Sequence, residues 1–154
     1  MVKSVEVMRV NAALNKMSQL YRVAKARRLG ELGLHPGQDV LLWQLAQEPD
    51  GITVTELATR LGVEPPTATR SLARLGAGGW FRREPVPGDR RQVRIVISEE
   101  GLKLIPRIED AWNDLADQII GSATVAERAI VLSALERAND RLRADLGDEA
   151  PDGS

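Results

Sequence analysis

Cysteine does not occur in this chain, and histidine occurs once, at position 35. Without cysteine there can be no disulfides, thiolate metal sites or cysteine redox sensors. A single imidazole also excludes zinc sites built from several histidines. Aromatic residues are scarce, with Trp43, Trp80, Trp112, Tyr21 and Phe81 forming the complete set. A stacking platform for single-stranded nucleic acid needs several exposed rings, which argues against that class of binder. No window approaches a membrane span, and the first residues, MVKSVEVMRVNAALNKM, carry charge throughout with no apolar signal core. A cytoplasmic location is therefore the default expectation, with no membrane partner. Serine-nucleophile motifs and phosphate-cradling glycine loops are also missing, and no carboxylate pair sits in an apolar setting. The sequence thus assigns no catalytic residue, no metal and no cofactor, and an enzyme is not expected.

What is present suits one folded domain with a helical arm: 154 residues, 43% apolar and 28% charged. The net charge of −1 hides a segregation. Residues 60–94 hold eight arginines against Glu64, Glu84 and Asp89, leaving +5, whereas residues 98–154 come to −7 and residues 1–59 to +1. A basic middle between acidic flanks lets a near-neutral chain offer one face to a polyanion.

Helical periodicity dominates both ends. Val7, Val10, Leu14, Met17, Tyr21 and Ala24 step by three and four, a narrow seam suited to packing against another helix. Gly30 and Gly33 break it. A second helix is predicted from about Pro36, apolar on most sides and closed by Pro49-Asp50-Gly51. Thr53 and Glu56 form a capping box for a third helix, which Gly62 stops. Pro65 then opens a fourth, with Ala68, Leu72 and Leu75 inward and Thr67, Thr69, Arg70, Ala73 and Arg74 outward. Two short helices joined by a tight turn, the second presenting Thr and Arg, make a helix-turn-helix.

After Gly76-Ala77-Gly78-Gly79, the segments WFRRE and QVRIVIS bracket the turn PVPGDRR and read as a β-hairpin. Ser98 caps a fifth helix with the seam Ile105, Ile108, Trp112, Leu115 and Ile119, in which Pro106 is expected to bend or weaken one turn. Thr124 and Glu127 box the start of a sixth, with Val131, Leu135, Ala138 and Leu142 on one face. The expected fold is mainly α with a small antiparallel β wing: a winged helix-turn-helix plus a helical dimerisation region, forming a homodimer. Its parts are an N-terminal dimerisation helix at 1–34, the winged domain at 35–97, C-terminal dimerisation helices at 98–146, and an acidic tail at 147–154.

Three runs in this order resemble the MarR family of bacterial transcriptional regulators, from near residue 5 to near residue 146. LHPGQDVLLWQL is similar to the opening of the family's second helix. TVTELATRLGVEPPTATRSLARLGAGGWFRRE is similar to its helix-turn-helix, with Leu75, Gly79 and Arg83 on the family's Leu, Gly and Arg. GDRRQVRIVISEEG is similar to its wing signature. The resemblance implies a triangular homodimer whose first, fifth and sixth helices interlock. Each fourth helix would enter a major groove, and each wing the adjacent minor groove. It also implies, for many members, release from DNA when a small, often aromatic or anionic, effector binds between dimer region and winged domain. Two departures stand out: GAGG replaces charged helix formers, so the fourth helix is expected to fray early, and the lack of cysteine separates this chain from peroxide-sensing relatives.

The candidate contacts to double-stranded DNA follow from residue chemistry. Arg70 can read guanine with two bonds, Thr67 and Thr69 can bond bases or phosphates, and Arg74, a turn further on, suits phosphate. At the wing, Arg90 and Arg91 suit the negative potential of a narrow minor groove, with Asp89 as a strut that accepts hydrogen bonds from Arg91 or the turn. The plain alternatives are a solvated helix face and a charged turn that guards an edge strand. Tyr21, His35, Trp43 and Trp112 are candidates for lining an effector pocket, against ordinary core and dimer packing, the favoured reading for each tryptophan. The rival functions are a winged-helix module that binds protein and a helical small-ligand binder without DNA affinity.

Overall fold

The computed structural model of the chain describes the backbone of residues 2–147 and the side chains of residues 5–147, so the acidic tail past Gly147 lies outside the described residues. The elements run α1 (Val2–Gly30), α2 (Gln38–Ala46), β1 (Ile52–Thr53), α3 (Val54–Leu61), α4 (Pro65–Leu75), β2 (Phe81–Val86), β3 (Asp89–Ile97), α5 (Glu99–Ile120) and α6 (Val125–Leu146).

The strands form one antiparallel sheet in the order β1-β3-β2. Phe81 stands opposite Ile97, Glu84 opposite Arg94, and the register shifts between Pro85 and Val86. The hairpin is tighter than expected. Its strands run on to a two-residue turn at Pro87-Gly88, where Gly88 takes a φ of +84°. Trp80 falls outside the strand that WFRRE predicts. β1 is an addition to the sequence reading: Ile52 pairs with Ile95 and Thr53 with Arg94. Two residues are too few for alternation to reveal.

One apolar core lies beneath α2, α3, α4 and the sheet. Leu29 closes it from the end of α1, Leu34 from the loop that follows, and Leu104 and Ile108 from the first half of α5. Each such side chain taken from water contributes roughly 2 kcal/mol before ordering entropy is counted. α2 starts at Gln38, two residues later than expected, because Gly37 has a φ of +93° and keeps Pro36 in the loop. α4 ends at Leu75 and tightens into one 3-10 turn over Gly76–Gly78, in line with the weak helix formers there. α5 is helical from Glu99 to Ile120, Pro106 included.

The long helices look outward. No residue of α6 is buried, and α6 turns away from α5 by 108°. Val7, Val10 and Leu14 of α1 are each more than half exposed, as are Leu135 and Leu142 of α6. These are the residues whose spacing predicts a seam. A single chain leaves them uncovered.

Both capping boxes form. The Thr53 N–H and hydroxyl donate to Glu56 Oε2 at 2.9 and 2.8 Å, and those of Thr124 donate to Glu127 Oε2 at 2.7 and 2.9 Å. The backbone N–H bond, then the hydroxyl, holds each carboxyl below the ordinary carboxylate range. A carboxyl depressed in the folded state contributes stability above its unfolded pKa, and that stability is lost as pH falls through its folded value. Glu56→Gln/Glu127→Gln should therefore melt below the wild type at neutral pH. The gap should close on acidification below about pH 4, measured by thermal unfolding across pH.

Candidate nucleic-acid interface

The presentation of α4 follows from its neighbours. Gly62 takes a φ of +62° and ends α3, and Pro65 starts α4 with Glu64 as its extended N-cap. Ala68, Leu72 and Leu75 are fully buried, which seats the helix by one stripe. Advancing by 3.6 residues per turn, Arg70 then points directly away from the core. Thr67 and Arg74 lie on one flank of it and Thr69 on the other, and all four are exposed. The Thr69 hydroxyl donates to the Pro65 carbonyl at 3.0 Å, so its proton is spent within the helix while its oxygen can still accept. Arg70 Nε reaches the Pro66 carbonyl at 3.4 Å, a long bond that leaves the rest of its guanidinium available.

At the wing, the Arg91 N–H donates to Asp89 Oδ1 at 2.9 Å, the strut arrangement expected for that carboxylate. Arg90 and Arg91 are exposed, and neither forms a salt bridge among the described residues. Three other arginines of the basic segment are more engaged. Arg82 Nε lies 2.5 Å from Glu84, Arg60 pairs with Glu48, and Arg83 stacks 5.4 Å from the centre of the Phe81 ring. Arg94 is half-buried, with its Nε lacking a hydrogen-bond partner.

The four aromatic and histidine candidates do not gather. His35 lines a cavity of about 380 Å³ with Gln38, Val63, Ser71 and Arg74. Tyr21 lines a separate, open groove of about 760 Å³ between α1 and α5, with Arg27, Arg28 and Asp114. Only Trp43 and Trp112 meet, with ring centres 6.1 Å apart and planes tilted by 53°. Trp43 Nε1 donates to Glu109 at 3.3 Å.

Trp112 leads to a cluster that the sequence reading passed over. Its Nε1 donates to Asp39 Oδ2 at 2.9 Å, and the same oxygen lies 2.8 Å from the Lys25 ammonium. Asp39 Oδ1 accepts from the Gly37 N–H at 2.9 Å. The only sequence signal is a lone carboxylate at the head of the apolar run VLLWQLA, preceded by a lysine beside the α1 seam. Among the described residues, no group of three or more His, Cys, Asp or Glu side chains is placed to hold a metal ion. No single helix among the described residues is long and apolar enough to cross a membrane.

Comparison with known proteins agrees with this geometry. The model of the MarR family matches residues 34–93, from within the α1–α2 loop into β3. HTH-type transcriptional regulator PecS of Dickeya dadantii is 29% identical over 140 residues, covering 90% of this chain and 84% of PecS. The crystal structure of MarR superposes with a TM-score of 0.71 at 30% identity, covering 87% of this chain and 98% of that one. Sco3205, a MarR family transcriptional regulator from Streptomyces coelicolor solved in complex with DNA, shares the fold with a TM-score of 0.75 at 24% identity, over 87% of this chain and 85% of its own. With this fold, and with this identity across nearly all of a known member, the chain belongs to the MarR family.

Proposed function

We propose that the protein is a cytoplasmic, sequence-specific regulator of transcription and not an enzyme. It binds a pseudo-palindromic operator in double-stranded DNA as a homodimer and acts as a repressor by occupying it. The observation that carries this is the set of exposed, uncommitted arginines. Arg70 and Arg74 on α4 and Arg90 and Arg91 on the wing have no acidic partner among the described residues, while neighbouring Arg60 and Arg82 are tied to glutamates. Thr67 and Thr69 flank Arg70 for base or phosphate bonds, and Asp89 holds the wing tip in shape. The uncovered apolar faces of α1 and α6 supply the dimer contact, and two-fold symmetry then places half-sites about one helical turn apart, roughly 10 bp.

For a small aromatic or anionic effector, the cavity at His35 is the better of the two. It abuts Arg74, so a bound anion competes for a guanidinium that DNA phosphate also needs. The groove at Tyr21 lies on the face that the partner subunit covers. Trp43 and Trp112 serve packing and hydrogen bonding instead.

The test is selection of bound genomic fragments with purified protein, followed by salt titration on the winning duplex. Specific binding should appear, with log K falling against log salt at a slope of about −5 or steeper. Absence of duplex binding, or an affinity indifferent to salt, would overturn the reading.

A further inference from the structure

Asp39 joins three helices through one carboxylate. It lies on α2 within the winged lobe, and its side chain is fully buried. Lys25 reaches it from α1, one of the two helices with an uncovered apolar face, and Trp112 from α5, which leads into the other, α6. The Gly37 N–H takes its other oxygen, and the Lys25 ammonium also lies 5.7 Å from the centre of the Trp112 ring. The carboxylate is thereby bonded from α1, from α5 and from the loop that leads into its own helix.

A buried ion pair adds little net stability over an apolar substitute of the same shape; what it supplies is direction. Leucines against leucines tolerate small rotations, whereas bonds of 2.8 and 2.9 Å to fixed donors do not. The junction is also where direction matters most. A slight turn of the lobe against its arms is levered over the whole lobe and shifts where its reading surface meets DNA.

We infer that Asp39, with Lys25 and Trp112, is a positioning unit that fixes the angle between winged lobe and dimer arms and so selects the spacing of operator half-sites. The inference rests on the proposed homodimeric DNA-binding function. Asp39→Asn keeps the shape but removes the charge that orients Lys25. Trp112→Phe keeps the ring and removes one donor.

Two measurements test it. In the first, affinity is measured on duplexes whose half-site separation changes in single base-pair steps. The wild type should prefer one spacing over its neighbours by about tenfold or more, and Asp39→Asn should reduce that preference to about threefold or less. In the second, no DNA is present. Because the chain has no cysteine, Thr55→Cys on the exposed face of α3 gives one spin label per protomer. The distance distribution between the two labels should be narrow in the wild type and broaden or shift in Asp39→Asn. Trp112→Phe should change both readouts in the same sense by less, and it carries the test if Asp39→Asn does not fold. Folded dimers of either variant with wild-type spacing preference and wild-type distances would overturn the inference, as would a monomeric wild type. A wild type that binds no duplex strikes only the DNA-binding function, since the label distances still decide the junction.

Discussion

Replacing Arg90 and Arg91 together by alanine should lower operator affinity by about a hundredfold or more, with dimer and unfolding midpoint unchanged. The two side chains are exposed and make no salt bridge among the described residues, so that part of the fold loses nothing with them. The tip itself survives because its shape depends on other atoms. Gly88 supplies the positive φ, and the Asp89 carboxylate holds the Arg91 backbone N–H, which alanine retains. A homodimer loses four cations at once, each facing a phosphate-rich groove where attraction is screened only partly by salt. Arg82→Ala is the matched control. Its guanidinium is already satisfied by Glu84, so its removal should change affinity by no more than about threefold. Fluorescence anisotropy on a labelled operator, with circular dichroism for the fold, separates the two outcomes.

Gly101→Ala should destabilise the protein by roughly 2–4 kcal/mol, read as a lower midpoint in chemical denaturation. A Cβ at this position would stand 2.2 Å from the Trp80 carbonyl oxygen and 2.8 Å from the Ile97 side chain. The obstacle is backbone, and that backbone is held in place. The Trp80 carbonyl accepts the Ser98 N–H at 2.9 Å, while the Ser98 hydroxyl donates to the Gly79 carbonyl at 2.7 Å and accepts the Gly101 N–H at 3.1 Å. The start of α5 is thus pressed against the foot of the wing hairpin, and only glycine allows that approach. Gly30→Ala makes the contrast. Nothing lies within 4 Å of a Cβ there, and the residue is helical, so alanine should be neutral or stabilising by about 0.5–1 kcal/mol.

What the sequence made legible was local or periodic. The capping boxes at Thr53 and Thr124 could be read because each spans only four residues of chain. The buried stripe of α4 could be read because Ala68, Leu72 and Leu75 repeat with the helical turn. The seams of α1 and α6 were visible for the same reason, and their exposure in one chain is the physical counterpart of that pattern. The rest depended on distance along the chain. Asp39 takes its ammonium from 14 residues earlier and its indole from 73 residues later, and no spacing rule links them. β1 exists only because β3 offers an edge to Ile52 and Thr53. The aromatic candidates were grouped by residue type, but type says nothing of direction, and the fold sends His35 and Tyr21 into different cavities.

The uncovered apolar faces of α1 and α6 also govern how occupancy responds to supply. A protomer that exposes such faces gains much of its stability on meeting a second copy, so folding and pairing draw on the same mass action. Below the dimer dissociation constant, the binding-competent species grows with the square of total protein. Halving synthesis then removes about three quarters of it. A gene under this regulator would respond to dilution at cell division or to proteolysis more steeply than a single-site titration allows, with no cooperativity between operators required.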